Sequence, residues 1–255
     1  MKRVYSPAQV YEPIKRDMEE LGKTMHTLGG KHYGETAYII GNGPSMKDFD
    51  FSRLKGKLTF AVNDGRLFFD KLKPTYWVVH DAWYTHHYHD LLSEYDGNLM
   101  LNASNFSVTA KIPSKYIKNA YYAPNVALYY DDGRRMAGFS PDSDIEVISG
   151  GSVIVNVLQM AWYMGVRRFI LVGVDHNLRR YEEKGEHFSR EYCDRKPELR
   201  TYRDLEIINT AFRMAGEFIA SNGGEVISAN ESTGLTYFPV RSFDEVEKTE
   251  NSLKL

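Results

Sequence analysis

The segment Glu146–Asp175 constrains the fold more than any other. A Ser-Gly-Gly-Ser turn (Ser149–Ser152) opens a strongly apolar helical run that stops at Gly165, and Arg168-Phe-Ile-Leu-Val-Gly-Val-Asp175 follows as an unbroken apolar strand. A strand that is apolar at every position is buried on both faces, which is the habit of parallel sheets. With a short strand at Glu146–Ile148 ahead of it, the helix is a crossover, and a crossover implies parallel pairing.

The earlier chain repeats the pattern. Thr36-Ala-Tyr-Ile-Ile40 runs into Gly41-Asn-Gly-Pro-Ser45; Leu58–Asn63 and Tyr76–Asp81 are further apolar runs with polar tips, and Asn98–Asn102 is a fourth. Helical stretches are expected around Arg66–Leu72 and over Trp83–Tyr95. Ala103–Asp144 is aperiodic apart from a short strand at Ala120–Ala123. Tyr202–Asn222 predicts a long helix with Leu205, Ile208, Ala211, Phe212, Ala215 and Ile219 on one face, and Glu225–Ala229 a last strand. An apolar stripe from Val10 to Leu28 predicts a helix over Pro7–Leu28. The expected class is α/β: a doubly wound, mostly parallel, Rossmann-like sheet. An N-terminal helical extension (1–34) precedes a nucleotide-binding catalytic domain (35–240), whose polar stretch at about 176–200 reads as a lid. A tail (241–255), a short polar helix or disorder, ends the chain.

Composition narrows the function. The 255 residues carry 32 Lys and Arg against 34 Asp and Glu, with no basic run, so a nucleic-acid footprint is missing and a small-molecule substrate is expected. Cys193 is the single cysteine, which rules out an internal disulfide framework. No signal peptide or membrane span is read, and the expected location is cytoplasmic. A homo-oligomer is left open.

In an open α/β sheet ligands bind at the carboxyl rim. Three turns are expected to meet there: Gly41–Ser45, Ser149–Ser152 and Asp175–Asn177. Gly41 and Gly43 permit positive φ and close approach of N–H groups to an anion, Asn42 and Ser45 add donors, and Pro44 stiffens the turn. Met46 breaks the dinucleotide fingerprint, and the P-loop ending is missing. Ser149, Gly150 and Gly151 open a helix, a phosphate or ribose site or else a simple cap. Asn63 and Asp81 project to the same rim. Asp175 is a ligand for ribose or metal, an orienter of a base, or a local backbone cap. His176 and His187 are the candidate proton-transfer groups, with Tyr181 in the same lid. The histidine-rich string His80–Asp90 places His86, His89 and Asp90 on one helical face, but without a metalloprotease pattern a solvated aromatic helix fits it better, and no metal site is assigned.

The run Ile39–Leu54 with Ala61-Val-Asn63, then Ile148–Ser152 and Val172–Asp175, resembles bacterial sialyltransferases that use CMP-sialic acid. The same landmarks, with Gly173-Val-Asp-His-Asn177 and Asn230–Pro239, resemble the broader 6-hydroxymethylpterin diphosphokinase-like family, whose bacterial members accompany surface-polysaccharide synthesis. The first resemblance implies a CMP-type contact at Asn42, Gly43, Ser45, Asn63, Ser149 and Gly150. Asp81 stands where those enzymes have an asparagine, and Arg200-Thr-Tyr202 where they have the catalytic histidine. The expectation is a glycosyltransferase-like enzyme moving a sugar from a nucleotide-sugar donor to a small or glycan acceptor during surface glycan synthesis. The alternatives are an ATP- and magnesium-dependent pyrophosphokinase using Asp81 and Asp175, and a non-catalytic nucleotide-binding protein.

Overall fold

The computed structural model describes residues 23–106, 117, 120–129, 135–176 and 202–252. Strands β1 (Thr36–Ile40), β2 (Leu58–Val62) and β3 (Tyr76–Val79) are followed by helices α1 (Ala82–His87) and α2 (His89–Glu94), then by β4 (Asn98–Asn102) and β5 (Ala120–Ala123). Four two-residue strands come next: β6 (Asn125–Val126), β7 (Leu128–Tyr129), β8 (Arg135–Met136) and β9 (Val147–Ile148). Helix α3 (Val153–Tyr163), β10 (Arg168–Val172), α4 (Tyr202–Ser221), β11 (Glu225–Ser228) and α5 (Phe243–Ser252) complete the described chain.

Seven strands form one sheet in the order β11-β10-β1-β2-β3-β4-β5, and every pair is parallel. The chain begins in the middle, walks from β1 to β5 at one edge, and returns to β10 on the other side of β1. Strand order therefore reverses between β1 and β10, and because every pair is parallel the carboxyl ends share one rim, where ligands bind in open α/β sheets.

Alternating side chains sort to two covered faces. Ala37, Ile39, Phe60, Val78 and Met100 pack with Val155, Leu158 and Ala161 of α3 and with Ala211, Phe212 and Ala215 of α4. Tyr38, Ile40, Ala61, Ile170 and Val172 turn the other way, against Phe51, Leu54, Phe68, Phe243 and Val246. Trp77, Val79, Leu99 and Leu101 continue that second face under Tyr84 and Leu92. With each large apolar side chain contributing about 1.5–3 kcal/mol on burial, this double cover explains why the strands read as solid apolar runs. The expected doubly wound α/β class is what the chain adopts.

Local expectations needed correction in three places. Of the expected helix over Pro7–Leu28, residues 7–22 lie outside the described residues; Thr24 is extended and bridges Tyr122, and only a 3-10 turn, Met25–Leu28, follows. The link after β2 is a 3-10 segment, Asn63–Phe68, with Gly65 pressed against Ala61. The stretch Trp83–Tyr95 is two helices divided at Tyr88 (φ −110°, ψ 27°). Of the two forms expected for the tail, residues 243–252 take the helical one: α5 buries Phe243 and Val246, while Glu247 and Asp244 accept from Arg53 and Glu250 from Arg168. Among the described residues no helix is long and apolar enough to cross a membrane.

Candidate active site

A cavity of about 660 Å³ opens along the carboxyl rim of the sheet, from the turns after β10 and β1 across to the end of β4. That volume suits a small molecule. Gly41, Asn42, Gly43, Asn63, Asp81, Ser149, Gly151, Asp175 and His176 all line it, so the expected rim positions converge. Pro44, Ser45 and Gly150 do not line it, and Tyr181, His187, Asn177 and the lid beyond His176 lie outside the described residues.

The glycine turn differs from the expected anion cradle. Gly43 has φ −71°, and the N–H groups are already engaged: Gly41 donates to Val172 O at 2.8 Å, Gly43 to Gly173 O at 2.8 Å and Ser45 to an Asp175 carboxylate oxygen at 2.9 Å. Glycine is required by contact with the neighbouring turn. A Cβ on Gly43 would lie 2.5 Å from the Asp175 carboxyl carbon, and one on Gly41 2.5 Å from Gly173 O. Gly173 itself has φ +68°, and a Cβ there would overlap Met46 Cγ at 2.2 Å. Gly43→Ala is accordingly expected to destabilise by about 2–3 kcal/mol, a fall of roughly 5–10 °C in Tm by calorimetry. An unchanged Tm would contradict this reading of the turn.

Asp175 is the buckle between these loops. Its carboxylate accepts from Ser45 N, Ser45 Oγ and Asn230 Nδ2, and its carbonyl from Gly234 N at 2.6 Å. Asp81 caps α1, accepting from Tyr84 N at 2.8 Å. Both aspartates expected as ligand-binding or metal-holding groups therefore carry structural bonds, Asp81 as a local helix cap and Asp175 across to loops distant in the sequence. Among the described residues no three His, Cys, Asp or Glu side chains group as metal ligands.

The groups whose chemistry suits an anion sit elsewhere on the wall. Val153 and Ile154 head α3 and line the cavity, and the first N–H groups of a helix have no intrahelical acceptor. The cap position is held by Ser152, which makes no side-chain cap bond; Ser149 instead accepts from the Arg135 guanidinium. Arg135 is the only lysine or arginine on the cavity wall among the described residues, and its buried Nε has no partner there. Gly150 serves packing, since a Cβ would lie 2.4 Å from Ala211 Cβ.

Amide and imidazole groups line the remaining wall. His176 Nε2–H donates to Asn209 Oδ1 at 2.8 Å, which leaves Nδ1 as the basic nitrogen, and its ring packs edge-on against Phe212. Burial lowers its pKa, with the Asn209 bond opposing that shift in part. Asn63 (φ 41°) and His176 (φ 45°) are the two non-glycine residues with positive φ among those described, and both line the cavity. Such strain costs on the order of 1 kcal/mol or more per residue and gathers at functional sites. His80, 7% exposed, is buried beneath Asn125 and Asn156. Among the described residues, buried amide oxygens without a partner occur on Asn42, Asn63, Asn125 and Asn156, all of which line the cavity.

Arg135, Asn125, Asn156 and Asn209 were not singled out in the sequence. Asn156 had a visible signal, a polar residue inside the apolar run Val153–Tyr163; Arg135 lies in an aperiodic stretch and had none.

No family model matches the sequence, and no curated protein matches it. Among solved structures the chain is similar to the sialyltransferase CstII of Campylobacter jejuni in complex with the substrate analogue CMP-3FNeuAc, with TM-score 0.48 and 15% identity over 82% of this chain and 86% of that one. It is also similar to the monofunctional alpha-2,3-sialyltransferase Cst-I of Campylobacter jejuni, with TM-score 0.47 and 14% identity over 86% of this chain and 94% of that one. At such identity the likeness is one of fold.

Proposed function

We propose that this chain is a glycosyltransferase-like enzyme that takes a nucleotide-linked sugar as donor, in the setting of surface glycan synthesis. The observation that carries the reading is the meeting of Arg135, Ser149 and the head of α3 in the same cavity as His176, whose Nε2–H is held by Asn209. The first group suits a phosphate: a guanidinium gives charge-assisted hydrogen bonds, and a helix amino terminus adds oriented N–H groups. The second suits a general base, because an imidazole whose Nε2–H is held by an amide oxygen presents Nδ1 unprotonated. The motif resemblance of Ile39–Asn63 and Ile148–Asp175 to CMP-sialic acid-dependent enzymes supports the same class.

In this reading His176 Nδ1 accepts the proton of the acceptor hydroxyl as its oxygen bonds to the anomeric carbon. The bond from that carbon to the nucleotide phosphate breaks, and Arg135 with the first N–H groups of α3 stabilises the charge left on the phosphate oxygen. Asp175 holds the Gly41–Ser45 and Asn230 loops in register around the site. The magnesium-dependent alternative would draw on Asp81 and Asp175, and both carboxylates are engaged in structural bonds. The test is release of CMP, UDP or GDP from the corresponding nucleotide sugars, followed by chromatography. Slow release from one donor, accelerated by an added acceptor, is the expected result; ATP consumption with magnesium and no release from any sugar donor would overturn the reading.

A further inference from the structure

We infer that His80, fixed by Asn125 and Asn156, is the hydrogen-bond donor of a neutral, hydroxyl-recognising subsite that takes the sugar part of the ligand. The inference rests on the nucleotide-sugar reading above and assigns that cavity a second, uncharged half.

The geometry sets the tautomer. Asn156 Nδ2 lies 3.0 Å and Asn125 Nδ2 3.3 Å from His80 Nδ1, and an amide nitrogen only donates, so Nδ1 is the acceptor and the ring proton is on Nε2. The backbone is held as well: Asn102 and Asn105 both donate to His80 O at 3.4 Å. Burial pushes the imidazole pKa down to about 3, so the ring is neutral and is a poor base at neutral pH. Nε2–H is buried and has no partner among the described residues, and the Oδ1 atoms of Asn125 and Asn156 are in the same condition. Leaving such groups unpaired costs roughly 1–3 kcal/mol each, and native proteins seldom do so without a reason.

Gln159, three residues after Asn156 on α3, is the internal comparison. It is fully buried, yet its Oε1 accepts from Ser140 N and Ile148 N, and its Nε2 donates to Ile148 O and Val155 O. That amide is a structural staple with every bond made. The His80 cluster has one donor and two acceptors left over, and its three residues line the cavity. A hydroxyl both accepts and donates, so vicinal hydroxyls complete this set, whereas a phosphate, which accepts only, leaves the amide oxygens unpaired. The anion half at Arg135 and the neutral half at His80 thus match the two halves of a nucleotide sugar.

The test compares three pairs, CMP with CMP-N-acetylneuraminic acid, UDP with UDP-N-acetylglucosamine and GDP with GDP-mannose, by titration calorimetry and by ¹⁵N spectra of histidine-labelled protein. In one pair the sugar-bearing member is expected to bind more tightly and to shift a neutral Nε2–H imidazole that resists protonation down to about pH 4, consistent with His80. His80→Phe should lose the sugar-dependent gain, about tenfold in Kd, and His80→Gln, which keeps an N–H donor, should recover part of it. If the phenylalanine variant fails to fold, the wild-type spectra decide. A His80 ring protonated on Nδ1, or equal binding of both members in every pair that binds, with its resonance unmoved, overturns this proposal alone. Silence in all three pairs overturns it together with the nucleotide-sugar reading.

Discussion

Replacing His176 with alanine is expected to lower kcat by about 10²- to 10⁴-fold while leaving nucleotide affinity nearly unchanged. In the proposed step the imidazole accepts a proton and does not hold the phosphate, so the loss is expected in turnover. The pH profile gives a sharper reading. His176 works only when neutral, and burial lowers its pKa from the ordinary 6.5, with the Asn209 hydrogen bond raising it part of the way back. The acid limb of kcat/KM should therefore fall below pH 6.5, with full activity kept as the pH rises through neutrality. Asn209→Ala removes the contribution that raises the pKa and should move the limb lower still. An acid limb at or above the ordinary histidine value, or a limb indifferent to Asn209, would remove His176 from the role of base.

Arg135→Ala should have its main effect on binding. Charge-assisted hydrogen bonds contribute about 1.5–3 kcal/mol, so the variant is expected to weaken nucleotide affinity roughly 10- to 100-fold by calorimetry. Lysine restores charge but not the planar fork, and Arg135→Lys should recover only part. The defect should shrink for a ligand without phosphate. Unchanged affinity for the alanine variant would show that the anion is held elsewhere, and the assignment of the α3 end as the phosphate subsite would fall with it.

The sheet was legible because parallel strands covered on both sides leave solid apolar runs, and Ile39, Phe60, Val78 and Ile170 each sit inside one. Their polar tips were legible for the same reason: Asn63 ends the run Leu58–Val62, and Asp175 follows Arg168–Val172. What each tip does was not. The Gly41–Ser45 turn reads as an anion cradle in isolation, and only the partner turn at Gly173–Asp175 shows that its N–H groups are engaged. That pairing joins residues some 130 positions apart and leaves no local trace. Arg135 and Asn125 were hidden for a related reason. They come from a stretch of two-residue strands whose pairing, Asn125 with Val147 and Tyr129 with Arg135, is set by tertiary contacts and not by periodicity. His80 was legible only as one histidine of a cluster; its neighbours in sequence, His86 and His87, sit on α1, whereas His80 is buried below four asparagines.

The most direct measurement is a thermal-shift panel of CMP, CDP, UDP, GDP, ADP and ATP, each with and without magnesium. A ligand at a hundred times its Kd adds about 2.7 kcal/mol to the native state, which is several degrees in Tm. The expected result is stabilisation by one pyrimidine or guanine nucleotide without magnesium, reduced by about half or more in Arg135→Ala. Stabilisation by ATP alone and only with magnesium would favour pyrophosphoryl transfer, and silence across the panel would contradict a nucleotide site in this cavity.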